Sequence, residues 1–171
     1  MLISISTVSL ALDARDTRLL LVGGEFFPRI VQALVPNNSK PYRLVIVYSN
    51  QANLQLAEQM ASNLSNQLNL SYQLMPGLQP SQLHFDEQYD YLVFITDPDL
   101  IKPELLGVLN QRNILSFSPF VGSVAKGVDV GLIVRASIRP QINQNQILHR
   151  DWRFRPFFNS IADFYSAQGR S

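Results

Sequence analysis

The sequence predicts an α/β protein, a mostly parallel sheet flanked by helices on both faces in a Rossmann-like three-layer sandwich, ending in a C-terminal β-hairpin and a terminal helix. Two continuous runs rich in β-branched and aromatic residues, 42–48 and 91–96, are typical of strands covered on both faces. Between them, residues 53–68 carry apolar side chains at steps of three and four, which predicts an amphipathic helix. Strands that alternate with helices imply crossover connections and therefore parallel pairing.

The N-terminal segment has two interpretations. Residues 2–12 are apolar and small, and Ser9-Leu10-Ala11 has the form of a signal-peptidase site, although no basic segment precedes it. Residues 1–14 are therefore either a truncated signal segment or an N-terminal strand, and 15–171 form a single domain. The run is too short to span a bilayer, which takes about 20 apolar residues, so we expect no membrane-spanning segment.

The first half of the domain is divided by glycines and prolines. Apolar spacing behind Pro28 predicts a helix over 26–35, whereas the part before Gly23-Gly24 is left unassigned. Pro36 opens a turn that leads into the central strand. In chain order we then expect strand 42–48, helix 53–68, strand 70–75 and strand 91–96.

The second half continues the alternation. Residues 103–111 read as a short helix and 113–118 as a strand adjacent to 42–48 and 91–96 at the centre of the sheet. A hairpin is predicted from strands 130–136 and 139–142, joined by a tight turn. The terminal helix is predicted over 152–168, with an aromatic face formed by Phe154, Phe157, Phe158, Ile161 and Tyr165.

The composition of the chain argues against several classes of function. Lys and Arg number 14 against 13 Asp and Glu, a net charge of +1, which argues against a cationic nucleic-acid surface. The chain has no Cys and hence no disulfide or thiolate zinc site. Acidic residues concentrate in 86–104 and basic ones in 126–171, which indicates either polarity for self-association or partner docking, or two independently solvated surfaces.

Candidate ligand-binding residues follow the strands, because open α/β sheets bind ligands outside the carboxyl ends of their strands. They are Ser49, Asn50, Asp97 and Ser118. The alternative is that Asn50 or Asn53 caps the following helix. Asp97 and Asp99 could hold a cation, but Asp99 also reads as a capping residue, and we expect no metal site.

Motifs for catalysis are missing from the sequence. Gly23-Gly24-Glu25 lacks the spacing of either nucleotide-binding loop, and His84 and His149 neighbour no nucleophile motif. We therefore expect no enzyme activity and no cofactor, with a hydrolase of unfamiliar constellation as a remote third alternative.

A family resemblance appears in the C-terminal part. FSPFVGSVAKGVDVGLIVRASIRPQIN (117–143), followed by Phe154, Phe157-Phe158 and Ile161-Ala162, resembles the end of YfiR-like proteins. FFPRIVQALV (26–35) and YRLVIVYSN (42–50) also lie where that family has its first helix and first strand. The resemblance covers roughly residues 26–165 and rests on a pattern of apolar positions.

The resemblance implies a small, non-catalytic periplasmic protein. Such a protein restrains a membrane-anchored diguanylate cyclase, or a sensor kinase, through contact with its periplasmic sensory domain, and so modulates cyclic di-GMP signalling and biofilm formation. It also favours the signal-segment interpretation. Redox sensing through disulfides does not transfer, because this chain has no Cys. The alternative is a periplasmic small-molecule (solute) binding module.

A contact surface is predicted on the terminal helix. Trp152 and Phe164 fall off its apolar stripe or at its margins, and Arg153 follows Trp152. Trp and Arg are enriched in contact hot spots, so Trp152, Arg153 and Phe164 are assigned to a partner or homodimer interface. The alternative places Trp152 against the hairpin and Phe164 in the core.

Overall fold

The computed structural model describes residues 12–36, 40–77, 80 and 83–167 of the chain. Its elements alternate as the sequence predicts, with short 3-10 turns at Pro98–Leu100 and Val124–Lys126. In chain order they are α1 Ala14–Ala33, β1 Tyr42–Tyr48, α2 Gln51–Leu68, β2 Tyr72–Pro76, β3 Asp90–Ile95, α3 Pro103–Gln111, β4 Leu115–Ser118, β5 Val130–Val134, β6 Ile138–Asn143, α4 Gln144–Leu148, α5 Pro156–Ile161 and β7 Asp163–Tyr165.

Seven strands form one sheet in the order β2-β1-β3-β4-β5-β6-β7. Pairing is parallel throughout except between β5 and β6, which form the antiparallel hairpin. The predicted α/β class, the mostly parallel sheet and the adjacency of β1, β3 and β4 at its centre are confirmed. Strand boundaries differ from the predicted ones by two residues or fewer.

One face of the sheet is covered by α1 and α2. Ile46, Phe94 and Phe117 lie side by side in register on this face. Phe27 of α1 packs on the last two, with ring centroids 5.3 and 5.1 Å away. The opposite face carries Val47 and Gly131, because side chains alternate along a strand. α3 and the two 3-10 turns cover that face, with Leu100 near Val47 and Val124 near Gly131.

The first helix begins at Ala14, twelve residues before the predicted start. Asp13 caps it by accepting a hydrogen bond from the Asp16 N–H at 2.7 Å. The helix continues through Gly23, where a Cβ would stand 2.6 Å from Cβ of Pro119. The glycine therefore permits close packing of α1 on the sheet. It does not end the helix, although the Gly23-Gly24 motif suggests an interruption when it is considered alone.

The predicted terminal helix over 152–168 is wrong. Residues 153–155 are extended and pair with the end of α1, where the Val35 N–H donates to the Arg153 carbonyl and the Arg155 N–H donates to the Ala33 carbonyl. Pro156 starts the six-residue helix α5, and β7 then joins the sheet parallel to β6. Backbone hydrogen bonds to distant segments outweigh the helical spacing of the aromatic residues here.

The N-terminal interpretations concern residues 1–11, which lie outside the described residues. Leu12 and Asp13 precede α1 without regular structure. Among the described residues, no helix has the length and apolar character needed to cross a bilayer.

Candidate functional site

The carboxyl ends of β1 and β3 bring three of the predicted ligand residues together. The Ser49 hydroxyl donates to the Asp97 carboxylate, which comes from the neighbouring strand. Asn50 Nδ2 donates to Ser49 Oγ at 3.1 Å. Asn53, a residue that the sequence suggests only as a cap, donates from Nδ2 to Ser49 Oγ at 2.9 Å and to Asp97 Oδ2 at 3.2 Å. We call Ser49, Asn50, Asn53 and Asp97 the strand-end cluster.

Much of the polar capacity of the strand-end cluster is used internally. Asn50 Oδ1 accepts from the Asn53 N–H at 3.1 Å and so caps α2, as the alternative interpretation has it. Asp97 Oδ1 accepts from the Asp99 N–H at 2.9 Å and caps the 3-10 turn, so the capping residue is Asp97 and not Asp99. Ser49, Asn53 and Asp97 are all buried. The geometry is that of a structural hydrogen-bond network.

Ser118 is fully buried and belongs to a different set of contacts. Its hydroxyl accepts from the Phe120 N–H at 3.4 Å, and its carbonyl accepts from the Ser123 hydroxyl at 3.2 Å. In the part of the chain that the structure describes, no hydrogen bond joins Ser118 to the strand-end cluster. Its contacts hold the turn after β4.

The N-terminus of α1 adds negative charge beside the strand-end cluster. Partial burial raises the pKa of Asp16, and the carboxylates of Asp13, Asp97 and Asp99 raise it further, while Arg15 opposes the shift. Within residues 12–36, 40–77, 80 and 83–167, no group of three Asp, Glu, His or Cys is arranged to hold a metal ion. His84 and His149 are both exposed.

The predicted division into an acidic and a basic surface does not hold as stated. Asp86, Glu87 and Asp90 lie at the amino end of β3, whereas Asp97, Asp99 and Glu104 follow its carboxyl end. Asp97 is buried, and so is the side chain of Arg150 in the basic half. Folding therefore separates acidic residues that are close in sequence.

Sequence reasoning missed a buried ion pair between Asp129 and Arg150. Asp129 Oδ2 also accepts from the Ser116 N–H at 2.7 Å and from the Ser116 hydroxyl at 2.8 Å. Burial raises the pKa of Asp129, while Arg150 and Ser116 act in the opposite direction. The sequence does indicate that Asp129 is buried, because it directly precedes an apolar strand and is flanked by valines.

The three predicted interface residues have different environments. Trp152 is only 4% exposed, so its predicted place at a surface is wrong. Its indole N–H donates to the Asn113 carbonyl at 3.1 Å, and its ring lies 6.1 Å from that of Tyr42, which holds it in the core. Arg153 is exposed, and Phe164 is 47% exposed on β7.

Four apolar side chains are exposed in the C-terminal elements α4, α5 and β7. Exposed side chains here are Leu148 of α4, Phe157 and Ile161 of α5, and Phe164 of β7, and we call these four residues the C-terminal patch. Phe157 and Ile161 are four residues apart and share one face of α5. Leu148 and Phe164 border a groove of about 380 Å³ whose floor includes Ile142 and Trp152. Helical spacing predicted Phe157 and Ile161 to be buried, and the structure exposes both.

No protein-family model matches this chain, and no curated protein matches it.

Proposed function

We propose that the protein is a non-catalytic regulator that acts through protein–protein contact. Its partner in this proposal is the periplasmic sensory domain of a membrane-anchored diguanylate cyclase or sensor kinase, and its output is a change in cyclic di-GMP signalling. The partner class and the periplasmic location come from the resemblance of residues 117–143 to YfiR-like proteins.

The observation that carries the proposal is the C-terminal patch. Phe157 is 60% exposed and Leu148 is 66% exposed. Complete burial of such a side chain by a partner would contribute about 1.5–3 kcal/mol of favourable free energy. Leu148 and Phe164 border the groove, and exposed apolar side chains beside a groove mark interaction sites in soluble proteins. Arg153 borders the same groove and adds a side chain that is enriched in contact hot spots.

The position of β7 supports the same surface. Among the described residues, β7 is an edge strand that pairs with β6 alone. Edge strands present unpaired backbone groups that can pair with another chain. A partner at the C-terminal patch could therefore use both apolar side chains and the β7 backbone.

The small-molecule alternative draws less support from the geometry. A ligand pocket needs convergent polar groups that are open to the ligand. In the strand-end cluster, the Asp97 carboxylate already receives hydrogen bonds from Ser49, Asn53 and the Asp99 N–H. A solute would have to replace these contacts.

The experiment compares Phe164→Asp with Tyr72→Asp in the native cells. Tyr72 is a matched control because it lies on the opposite edge strand, β2, and is 45% exposed. Cellular cyclic di-GMP is measured after deletion of the gene and after complementation with each variant. We expect Tyr72→Asp to restore the wild-type level and Phe164→Asp to leave the deletion phenotype.

Binding is measured in parallel between the purified protein and the periplasmic domains of the membrane-anchored cyclases and sensor kinases of the same cells. We expect one of these domains to bind wild type and to lose at least tenfold in affinity for Phe164→Asp. Equal cyclic di-GMP in deleted and wild-type cells, or no binding by any of these domains, would overturn the proposal.

A further inference from the structure

A second groove lies on the same face of the sheet, at the other end of β6. It has a volume of about 370 Å³ and lies between the N-terminal half of α1 and the β5–β6 hairpin. Val22 of α1 forms one wall, and Val134 and Ile138, which pair directly, form the other, with Val121 beside them. Val121 and Val134 are exposed, so we call this apolar depression the α1 groove.

The α1 groove faces the side of the sheet that carries the helical layer. Val130 pairs with Phe117, whose ring packs on Phe27 of α1. Val134 follows Val130 by four residues and therefore points to the same face. α1 covers this face near the centre of the sheet, at β3 and β4. At the carboxyl end of β5 the same face is exposed, as Val134 shows. The α1 groove lies beside α1 at the edge of the helical layer.

The rim of the α1 groove is basic. Arg15 and Arg18 line it from α1, and both are exposed. Within the described residues neither arginine forms an ion pair, since the two pairs found there use Arg135 and Arg150. Of the nearby carboxylates, Asp13 caps α1, and Asp16 interacts electrostatically with Arg15 as well as with Asp97 and Asp99.

We propose that the α1 groove docks an acidic amphipathic helix of a partner protein. Apolar side chains of that helix contact Val22, Val134 and Ile138, and its carboxylates pair with Arg15 and Arg18. The spacing fits: residues three apart on α1 are separated by about 4.5 Å along its axis, and the Cβ atoms of acidic residues at i and i+4 of a partner helix lie about 5–6 Å apart. This inference is independent of the proposed function, because it uses a different surface from the C-terminal patch.

The test uses two fluorescein-labelled helical peptides of 14 residues that share one leucine stripe. One carries Glu on both flanks of the stripe, and the other carries Lys at the same positions. Fluorescence anisotropy with the full chain at low salt should show at least tenfold tighter binding of the Glu peptide. The preference should decrease with added salt, because exposed charge pairs are screened.

Two variants locate the binding site. The double variant Arg15→Gln/Arg18→Gln should weaken binding of the Glu peptide about tenfold, whereas Arg29→Gln/Arg139→Gln, which removes two exposed charges outside the groove, should leave it unchanged. Val134→Asp should weaken it without unfolding the protein, since Val134 is exposed. All three variants are checked by circular dichroism and thermal unfolding.

Four results would overturn the inference. Equal affinity for the two peptides, or no binding of either below millimolar concentration, excludes an acidic helix as the occupant. A dimer that sedimentation detects for wild type and not for Arg15→Gln/Arg18→Gln assigns the groove to a second copy of the chain. Binding to phosphatidylglycerol vesicles that depends on the same two arginines assigns it to a membrane surface.

Discussion

Arg150 lies buried against Asp129 and joins the C-terminal part of the chain to the start of β5. Its Nη1 also donates to the Ile114 carbonyl at 2.9 Å, just before β4. Two residues farther on, Trp152 donates to the Asn113 carbonyl. The segment between α4 and α5 is therefore fixed to the amino end of β4 by two hydrogen bonds and to the start of β5 by one ion pair, and this attachment positions α5, β7 and the C-terminal patch.

The first prediction concerns the ion pair between Asp129 and Arg150. Arg150→Met leaves the Asp129 carboxylate unpaired in the core, which should cost about 3–5 kcal/mol of unfolding free energy at pH 7. The pKa of Asp129, already raised by burial, should rise further without the guanidinium. Between the unfolded pKa of about 3.9 and that raised folded value, the folded state binds more protons than the unfolded state. Stability of Arg150→Met should therefore fall as pH increases through this window.

Urea unfolding at several pH values between 4 and 8 measures this dependence. The control is Arg150→Met/Asp129→Asn, which removes the charge as well as its partner and should show no extra pH dependence relative to wild type. If the unfolding free energies of the single and the double variant changed equally with pH, the extra pH dependence would not come from Asp129.

Trp152 makes the second prediction. Trp152→Ala should destabilise the protein by about 3–5 kcal/mol, because it removes a buried ring and leaves a cavity beside Tyr42. Phe157→Ala is the control, since Phe157 is an exposed aromatic residue of the same C-terminal region, and it should change the unfolding free energy by about 0.5 kcal/mol or less. The free energy of unfolding is measured by chemical denaturation. Equal decreases for the two variants would contradict the assignment of Trp152 to the core and Phe157 to the surface.

Gly23 makes the third prediction. Gly23→Ala places a Cβ 2.6 Å from Pro119, so α1 must shift from the sheet and stability should fall by about 1–3 kcal/mol. Gly107→Ala in α3 is the matched substitution, because a Cβ there meets no atom within 4 Å. It should stabilise the protein by about 0.5–1 kcal/mol through helix propensity. Thermal unfolding of the two variants should therefore shift in opposite directions.

The strand-end cluster makes the fourth prediction. Asp97→Asn replaces one acceptor oxygen by an NH2 group where Ser49, Asn53 and the Asp99 N–H all donate. Unfolding free energy should fall by about 1–3 kcal/mol. Asp99→Asn, at an exposed neighbour, should be nearly neutral. If Asp97→Asn were as stable as wild type, the cluster would not be the structural network described above.

The central strands and their parallel pairing could be predicted from the sequence. The apolar runs of β1 and β3 can be covered only as central strands, and the helices between strands impose parallel pairing. The sequence also identified Ser49, Asn50 and Asp97 as residues at strand ends, because that position follows directly from the strand assignment. Gly23 is the counterexample, since a glycine inside a helix becomes interpretable only when its neighbour Pro119 is known.

The path of residues 152–168 and the partners of the buried polar residues depend on tertiary contacts. Aromatic residues spaced for a helix between 152 and 168 instead form an extended segment, a short helix and an edge strand, because backbone hydrogen bonds to α1 and β6 are available there. Asp129 and Arg150 are 21 positions apart and carry no mark of their pairing in the sequence. Which side chains are buried together depends on contacts between distant segments, and local periodicity contains no information about those contacts.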